Sequence, residues 1–585
     1  MTDRRAVALG KEPADLVVRG GRVFRPETMA FDDVAVAVVD DRVAALPEDP
    51  DPMIGPETDV VEATGRAVVP GFIDAHTHLD LHQTFESAYH YAIRGGTTTV
   101  VTEAASFGSA FGADGVRHLL DATDDLPVTV RATVPPGPLV DTFTDATASV
   151  DDLAALLDDD RVVGVGEIGW IHAVGEGGDT IADVEELHAR ARERDLPIAG
   201  HGAGCREASL QAFASVVDND HEAISAEGIR ERVENGVHAI GRYGSVRDDV
   251  EALAEAATDG LSPAELSLST DGMWPRKLVD EGHVDVVVER VVEEGVSLPE
   301  ALRMATLTPA RHYGLDDRGS LAPGNVADIV VLEDLRTDDG DFETVDVSTV
   351  VTDGEVVLDT HDLTVSPRVH EYPDEVYGTV SPLAAGTLSV PADAADEDGS
   401  VRALDHQQGL ITTETRVAPP AEDGELHADP DADLAKVALV DRHPDADRGS
   451  FVGFLTGLGL DEGAVATTTT WEAAGTLVAG TNDADMQTAV AHLAELGGGW
   501  AVVADGDVVA DAPAPVGGFC SALDVQDTAK AMDAVDEALS RLGADPERPM
   551  LALQTLTFTG VPGLKLTFGG YADVTERAVV GLASQ

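Results

Sequence analysis

The chain has 585 residues, enough for about four domains at roughly 150 residues each, although one α/β barrel can absorb about 250. Lys and Arg number 38 against 108 Asp and Glu, a formal charge of −70, with 43% apolar, 25% charged and 4% aromatic residues. The apolar share suffices for full cores and rules out an acidic disordered chain, and the missing basic surface argues against nucleic acid or an anionic membrane as partner.

Only five of the basic residues are lysine (Lys11, Lys277, Lys436, Lys530 and Lys565), and acidic residues are spread along the whole chain. A net charge of this size self-repels unless salt screens it, so the composition reads as halophilic, adapted to a salt-rich cytoplasm. Cys205 and Cys520 lie too far apart for a local motif, which argues against a disulfide framework or a Cys-rich zinc site. The opening stretch MTDRRAVALGKEPAD has too short an apolar run for a signal peptide, and no window nears 18 uninterrupted apolar residues. A soluble, cytoplasmic protein is expected.

Residues 1–69 predict short antiparallel strands: DLVVRGGRVF, VAVAVVDDRVAAL and GRAVVP alternate apolar residues around Gly-Gly and Asp-Asp turns. From 70 to 315 short apolar runs (TTTVVT, VTVRATV, VVGVGEIG, LPIAGH, VHAIG, LSLSTD) alternate with helical stretches such as GVRHLLDAT and DVEELHARARER. That rhythm predicts βα units around a parallel sheet, and seven or eight of them close a (β/α)₈ barrel. Strand texture returns over 316–365, so both flanks of the barrel are expected to build one small β-sandwich. A linker over 366–400 and a second α/β region over 401–585 complete the predicted order. In that region QTAVAHLAELGGG reads as a helix ending on glycines.

Twelve of the eighteen histidines fall between residues 76 and 312. The sharpest motif is Pro70-Gly71-Phe72-Ile73-Asp74-Ala75-His76-Thr77-His78, at the first barrel strand. On an extended strand, residues two apart share a face, so His76 and His78 can reach one cation. Glu167, His201, His221 and Asp271 end later strands, and in a parallel barrel those ends converge on one face. An imidazole or carboxylate buried there needs a partner such as a metal. Six ligands without thiolate exceed one tetrahedral zinc and suit a binuclear centre of Mn(2+), Fe(2+) or Zn(2+). No lysine lies near the fourth strand to serve as a carboxylated bridge, which leaves Glu167 as the bridge.

These residues resemble the amidohydrolase superfamily, and more closely its adenine deaminase branch. The segments IAGHGAG, DNDHEAISAEG, STDGMWPRKLVDEGHVDVVV, DRGSLAPGNVADIVVLEDL, AGTNDADMQTAVAHLAELGGGWAVVADG and PGLKLTFGGYADV follow that family in order over almost the whole chain. The resemblance implies a metal-dependent (β/α)₈ barrel with an appended C-terminal domain, and His76, His78, Glu167, His201, His221 and Asp271 as binuclear ligands. It also implies Asp271 as proton shuttle and Glu222, directly after His221, as a purine contact; the other reading of Glu222 is an exposed start of the next helix. Several motifs depart from the family. Its Asp-Pro-His-Glu stands here as Glu103-Ala104-Ala105-Ser106, and its Glu-Ser-Ser as Asp80-Leu81-His82. Thr-Asp-Asp is Thr270-Asp271-Gly272, Arg-Glu-Gly-Ser is Arg242-Tyr243-Gly244-Ser245, and His-Asp-Ser-His-Asn is Trp471-Glu472-Ala473-Ala474-Gly475.

The expected reaction is hydrolytic deamination of adenine to hypoxanthine and ammonia, with hydroxide attacking C6 and Asp271 moving the proton. The His/Cys-ligated zinc deaminases are a different class, and their Pro-Cys-x-x-Cys signature is absent. Two alternatives stay open at this point: a binuclear amidohydrolase acting on another heterocycle or cyclic amide, and a non-catalytic binding protein derived from a deaminase. The partner expected is a small molecule, adenine or a related heterocycle, and assembly into a homo-oligomer is left open by the sequence.

Overall fold

The computed structural model describes residues 3–140, 148–174, 179–333, 345–442, 449–471, 475–576 and 578–584. Eight parallel strands form the barrel: β1 (Phe72–Thr77), β2 (Thr97–Thr102), β3 (Thr129–Val134), β4 (Val162–Val165), β5 (Ala199–Gly200), β6 (Asn219–Asp220), β7 (His238–Arg242) and β8 (Leu266–Ser269). They pair in chain order as two four-stranded halves. Parallel bridges at Val165–Ile198 and Thr77–Asp271 close the seams between the halves. Every residue of β1 and β2 is buried. Barrel strands are covered on both faces, which is why they read as unbroken apolar and threonine runs. The outer helices are amphipathic: Val284–Glu293 buries Val284, Val287, Val288 and Val291, one stripe at helical spacing.

The flanks meet as the strand texture predicted. Ile329–Leu332 pairs antiparallel with Ala67–Pro70, register Ile329 to Pro70, inside a seven-stranded sheet drawn from both sides of the barrel. A four-stranded sheet from residues 16–62 packs on it through Leu16, Val36, Val43, Ile329, Val331 and Val351. Gly71 makes the step from this sandwich into β1. A Cβ there would lie 2.1 Å from Thr98 Oγ1, so only glycine permits that approach.

The C-terminal region is an eight-stranded sheet with a helix on each face. Ala438, Ala464, Ala466 and Val503 meet helix Asp483–Leu496, while Val437, Leu439, Val465 and Val502 meet helix Val525–Arg541. The first of these helices stops at Gly497, in the left-handed conformation, as the glycine run predicted. The segment 366–400 packs between the two bodies. Arg368 N–H donates to Glu86 O at 2.9 Å, and Gly517 N–H donates to Val376 O at 3.0 Å. The C-terminal domain also reaches the barrel mouth, where Cys520–Ser521 pairs parallel with His82–Gln83. Among the described residues no helix is long and apolar enough to cross a membrane. Both cysteines are buried and free.

Candidate active site

The six residues singled out in the sequence all stand at the C-terminal ends of barrel strands. His76 lies within β1 and His78 one residue beyond it, with ring centroids 5.1 Å apart. Glu167 follows β4 by two residues, His201 and His221 directly follow β5 and β6, and Asp271 follows β8 by two. Asp271 has φ of +52°, rare for a residue with a side chain. Two hydrogen bonds to β1 hold it there: its N–H donates to His76 O at 3.0 Å, and its carbonyl accepts from His78 N–H at 2.9 Å. The turn aims its carboxylate back over β1, with Oδ1 3.7 Å from His76 Nε2 and 3.6 Å from His78 Nε2.

Glu167 stands between two groups of imidazoles. Its Oε1 lies 3.5 Å from His78 Nε2, while its Oε2 lies 3.0 Å from His201 Nδ1 and 3.1 Å from His221 Nε2. Two triads with metal-compatible spacing therefore share this one carboxylate: His76, His78 and Glu167, and Glu167, His201 and His221. The His76 and His221 rings stack at 4.0 Å across the site. His76 Nε2, His201 Nε2 and His221 Nδ1 are buried without a hydrogen-bond partner. Buried polar atoms are normally paired, and the orphaned His76 Nε2 faces Asp271 while His78 Nε2, His201 Nδ1 and His221 Nε2 face Glu167, a set with the donor chemistry of a cation site.

The electrostatics point the same way. Burial pushes the imidazoles down, but Glu167, with Asp271 and Glu103 around His78 and with Glu222 around His201, outweighs it. His78 is held up at about 10 and His201 at about 9. Burial would raise Glu167, yet His201, His221 and His78 hold it well below the usual carboxylate range. A pocket that holds protons so tightly on its imidazoles is one whose negative field favours a divalent cation in their place.

Glu222 is not an exposed helix start. Its side chain is 8% exposed, and its Oε1 accepts from Arg242 Nη1 while lying 3.8 Å from His201 Nδ1 and 3.7 Å from His221 Nε2. Burial would raise this carboxyl, but Arg242 and the two imidazoles keep it well below its ordinary value. Arg242 is itself buried at the end of β7, donating through Nε to Asp249 Oδ2 at 2.7 Å, with Nη1 3.5 Å from Asp271 Oδ2. Beneath His221, Asp220 accepts from Gly202 N–H, Glu222 N–H and Arg232 Nε at 2.9, 3.1 and 2.8 Å, which ties the ends of β5 and β6 together.

Two residues of the site escaped the sequence reading. Arg242 was noted only as part of a departed motif. Glu103 was noted only for the His and Glu missing after it, yet it is fully buried in the site. Its Oε2 accepts from Glu167 N–H at 2.6 Å and Thr133 Oγ1–H at 3.1 Å, and its Oε1 lies 3.1 Å from His76 Nδ1. The available signal was position, an acidic residue ending the run TTTVVT as Glu167 ends VVGVG. Of the departed C-terminal motif, Glu472, Ala473 and Ala474 lie outside the described residues, whereas Trp471 lines the site.

Above the cluster opens a cavity whose empty volume, open solvent at its mouth included, is about 1110 Å³. The barrel contributes Leu81, Ser106 and Pro135, and the C-terminal domain contributes Trp471, Phe519 and Phe558. The site is thus composite, and neither body alone encloses it.

A closed parallel barrel with such a cluster at its strand ends, flanked by a sandwich from both sides, is the metal-dependent amidohydrolase architecture. The Amidohydrolase family matches residues 67–357, and the Adenine deaminase C-terminal domain matches residues 409–578. An adenine deaminase of Moorella thermoacetica is 33% identical over 99% of this chain and 97% of its own length. Those of Methanothrix thermoacetophila and Kosmotoga olearia are 31% and 28% identical, over 99% and 98% of both chains respectively. The chain belongs to the adenine deaminase family of amidohydrolases. Solved structures are more distant. A β-aspartyl dipeptidase of Fervidobacterium islandicum AW-1 covers 60% of this chain and 98% of its own, with 19% identity and a TM-score of 0.46.

Proposed function

We propose that the protein catalyses metal-dependent hydrolytic deamination of adenine to hypoxanthine and ammonia. The observation that carries the reading is Glu167, with one carboxylate oxygen facing His78 and the other facing His201 and His221. This arrangement supports two divalent cations: one held by His76, His78 and Asp271, one by His201 and His221, with Glu167 shared. Nitrogen and oxygen donors without thiolate suit Mn(2+), Fe(2+) or Zn(2+), and ligand type alone does not choose among the three. When bound, such a pair lowers the pKa of a water so that hydroxide is available at neutral pH. The adenine deaminase names of relatives that align over nearly the full length supply the substrate.

The chain's own residues do the remaining work. Asp271 Oδ1, beside both β1 imidazoles, takes the proton of the attacking water and returns it to the amine leaving C6. Arg242 faces Oδ2 of the same carboxylate and fixes which oxygen stays free. Glu222, anchored by Arg242, is an acceptor available to a purine ring N–H or to the amine. The apolar wall of Leu81, Pro135 and Phe519 excludes bulk water from the reacting carbon. The carboxylate excess further supports the halophilic reading of the composition.

The test is to strip the purified protein with chelator and restore Mn(2+), Fe(2+) or Zn(2+) in molar salt. Adenine absorbance and released ammonia are then followed beside metal content. About two metals per chain with stoichiometric hypoxanthine and ammonia is the expected result. A fully loaded protein that leaves adenine untouched would overturn the reading.

A further inference from the structure

The cavity over the metal cluster has an aromatic wall whose principal member departs from the family motif. Trp471 stands where the family places the first His of His-Asp-Ser-His-Asn. Its backbone is clamped at both ends, with N–H donating to Gln554 O at 3.2 Å and the carbonyl accepting from Thr557 Oγ1–H at 2.6 Å. Both bonds engage the main chain of Trp471, so the indole is not needed to anchor the loop. The indole instead meets the Phe558 ring edge to face at 5.1 Å, and Phe558 meets the His201 imidazole edge to face at 5.3 Å. Three rings thus run from the cavity wall down to one of the proposed ligands.

The approach of this wall to the cluster is built into the backbone. A Cβ at Gly560 would lie 2.5 Å from the Phe558 ring and 3.2 Å from His201 Nε2, so glycine allows the 558–560 turn to rest on the imidazole. Trp471 and Phe558 also line the smaller chamber on the other side, beside Glu222, Arg242 and Asp271. A flat ring presented to the cluster therefore has these two side chains beside it whichever chamber it enters.

We infer that Trp471, backed by Phe558, is a specificity-determining residue of this active site, laying its indole against the face of the substrate ring. The inference rests on the proposed deaminase reading for its substrate and deepens it. Aromatic side chains of this kind prefer planar heterocycles over saturated amides of similar size. The C-terminal domain then contributes to substrate choice as well as to closure of the site.

The experiment uses the metal-loaded full chain, with Trp471→Ala and Trp471→Phe checked for metal content and thermal midpoint. Trp471→Ala is expected to raise KM for adenine about tenfold or more, with a smaller change in kcat. Trp471→Phe keeps a smaller ring, and is expected to raise KM by about threefold, less than Trp471→Ala. Hypoxanthine, which lacks the leaving amine, should quench the wild-type tryptophan fluorescence saturably, and Trp471→Phe should abolish that quenching. KM within about twofold of wild type in both variants, or quenching that survives in Trp471→Phe, would overturn the inference. If Trp471→Ala fails to fold, Trp471→Phe decides alone. If the wild type releases no ammonia from adenine, the deaminase reading falls by itself. The quenching arm, repeated with hydantoin and dihydrouracil beside hypoxanthine, then decides Trp471: quenching lost in Trp471→Phe supports it, and no quenching by any of them refutes it.

Discussion

Glu103→Gln tests the logic of the site at a residue outside the six proposed ligands. In the wild type one carboxylate oxygen accepts from Glu167 N–H and Thr133 Oγ1–H, and the other lies 3.1 Å from His76 Nδ1. A carboxylate accepts at every position, so Nδ1 can carry the proton and leave the Nε2 lone pair for a cation. An amide cannot do all of this. If its oxygen stays with Glu167 and Thr133, its NH₂ faces Nδ1, which forces the proton onto Nε2 and spoils that ligand. If the amide flips, its NH₂ faces the Glu167 N–H, and two buried donors oppose each other. Either mismatch costs about 1–3 kcal/mol, roughly 5- to 150-fold in metal affinity. The assay is metal retained after dialysis against graded chelator, with the thermal midpoint of the metal-free protein as fold control. A variant that folds and holds metal as tightly as wild type would refute the tautomer argument and reduce Glu103 to a packing residue.

Three further outcomes are expected. Asp271→Asn should lower kcat by about 10²–10⁴-fold, and full metal with less than about a threefold fall would defeat its role in proton transfer. Adding Mn(2+) to the metal-free protein in weak buffer at neutral pH should release protons, because His78 and His201 are held up at about 10 and about 9; a titration without proton release would contradict this. In the metal-free state those raised values contribute stability that is complete below 6.5, the ordinary imidazole value, and lost as pH rises past about 9. Finally, the thermal midpoint should climb between about 0.1 and about 3 M salt, similarly for different monovalent chlorides and not with sucrose at matched concentration. A flat profile would end the halophilic reading without touching the metal site.

Much of this was legible because it depends on period and chain order. Side chains alternate along a strand, so His-x-His fixes two ligands on one face, and parallel strands gather Glu167, His201, His221 and Asp271 at one end of the barrel. The shared sandwich was legible because strand texture recurs on both sides of the βα rhythm. The illegible parts depend on contacts across long separations. Nothing local in SFGSA or TVVTEAA says that Glu103 will meet Glu167 and Thr133, because those contacts exist only once β2, β3 and β4 are adjacent. Nothing in LSLSTDG announces the left-handed turn at Asp271, which is imposed by its pairing with β1. The reach of Phe558 over His201, with Trp471 behind it, is likewise a product of docking two bodies, one of which starts more than 300 residues after β1.

The departures from the family motifs, scattered along the sequence, take on an order in space. Leu81, Glu103, Ser106 and Trp471 come from three of the changed motifs, and all line the same cavity. Asp80 and His82 hold the seam beside it: Cys520 Sγ donates to Asp80 O at 2.8 Å, and His82 pairs with Cys520. Tyr243 turns away, donating to Glu281 Oε2 at 2.8 Å and taking the Lys277 ammonium over its ring, while the neighbouring Arg242 stays on Glu222 and Asp271. The site therefore has two layers that answer to different constraints. The inner layer of strand-end imidazoles and carboxylates sets the chemistry, and a change there costs the cation. The outer wall comes from loops and from a separate domain, so it can be rebuilt without disturbing the ligands. Substitutions that alter turnover with every substrate should fall in the inner layer, and those that shift preference among heterocycles should fall in the wall.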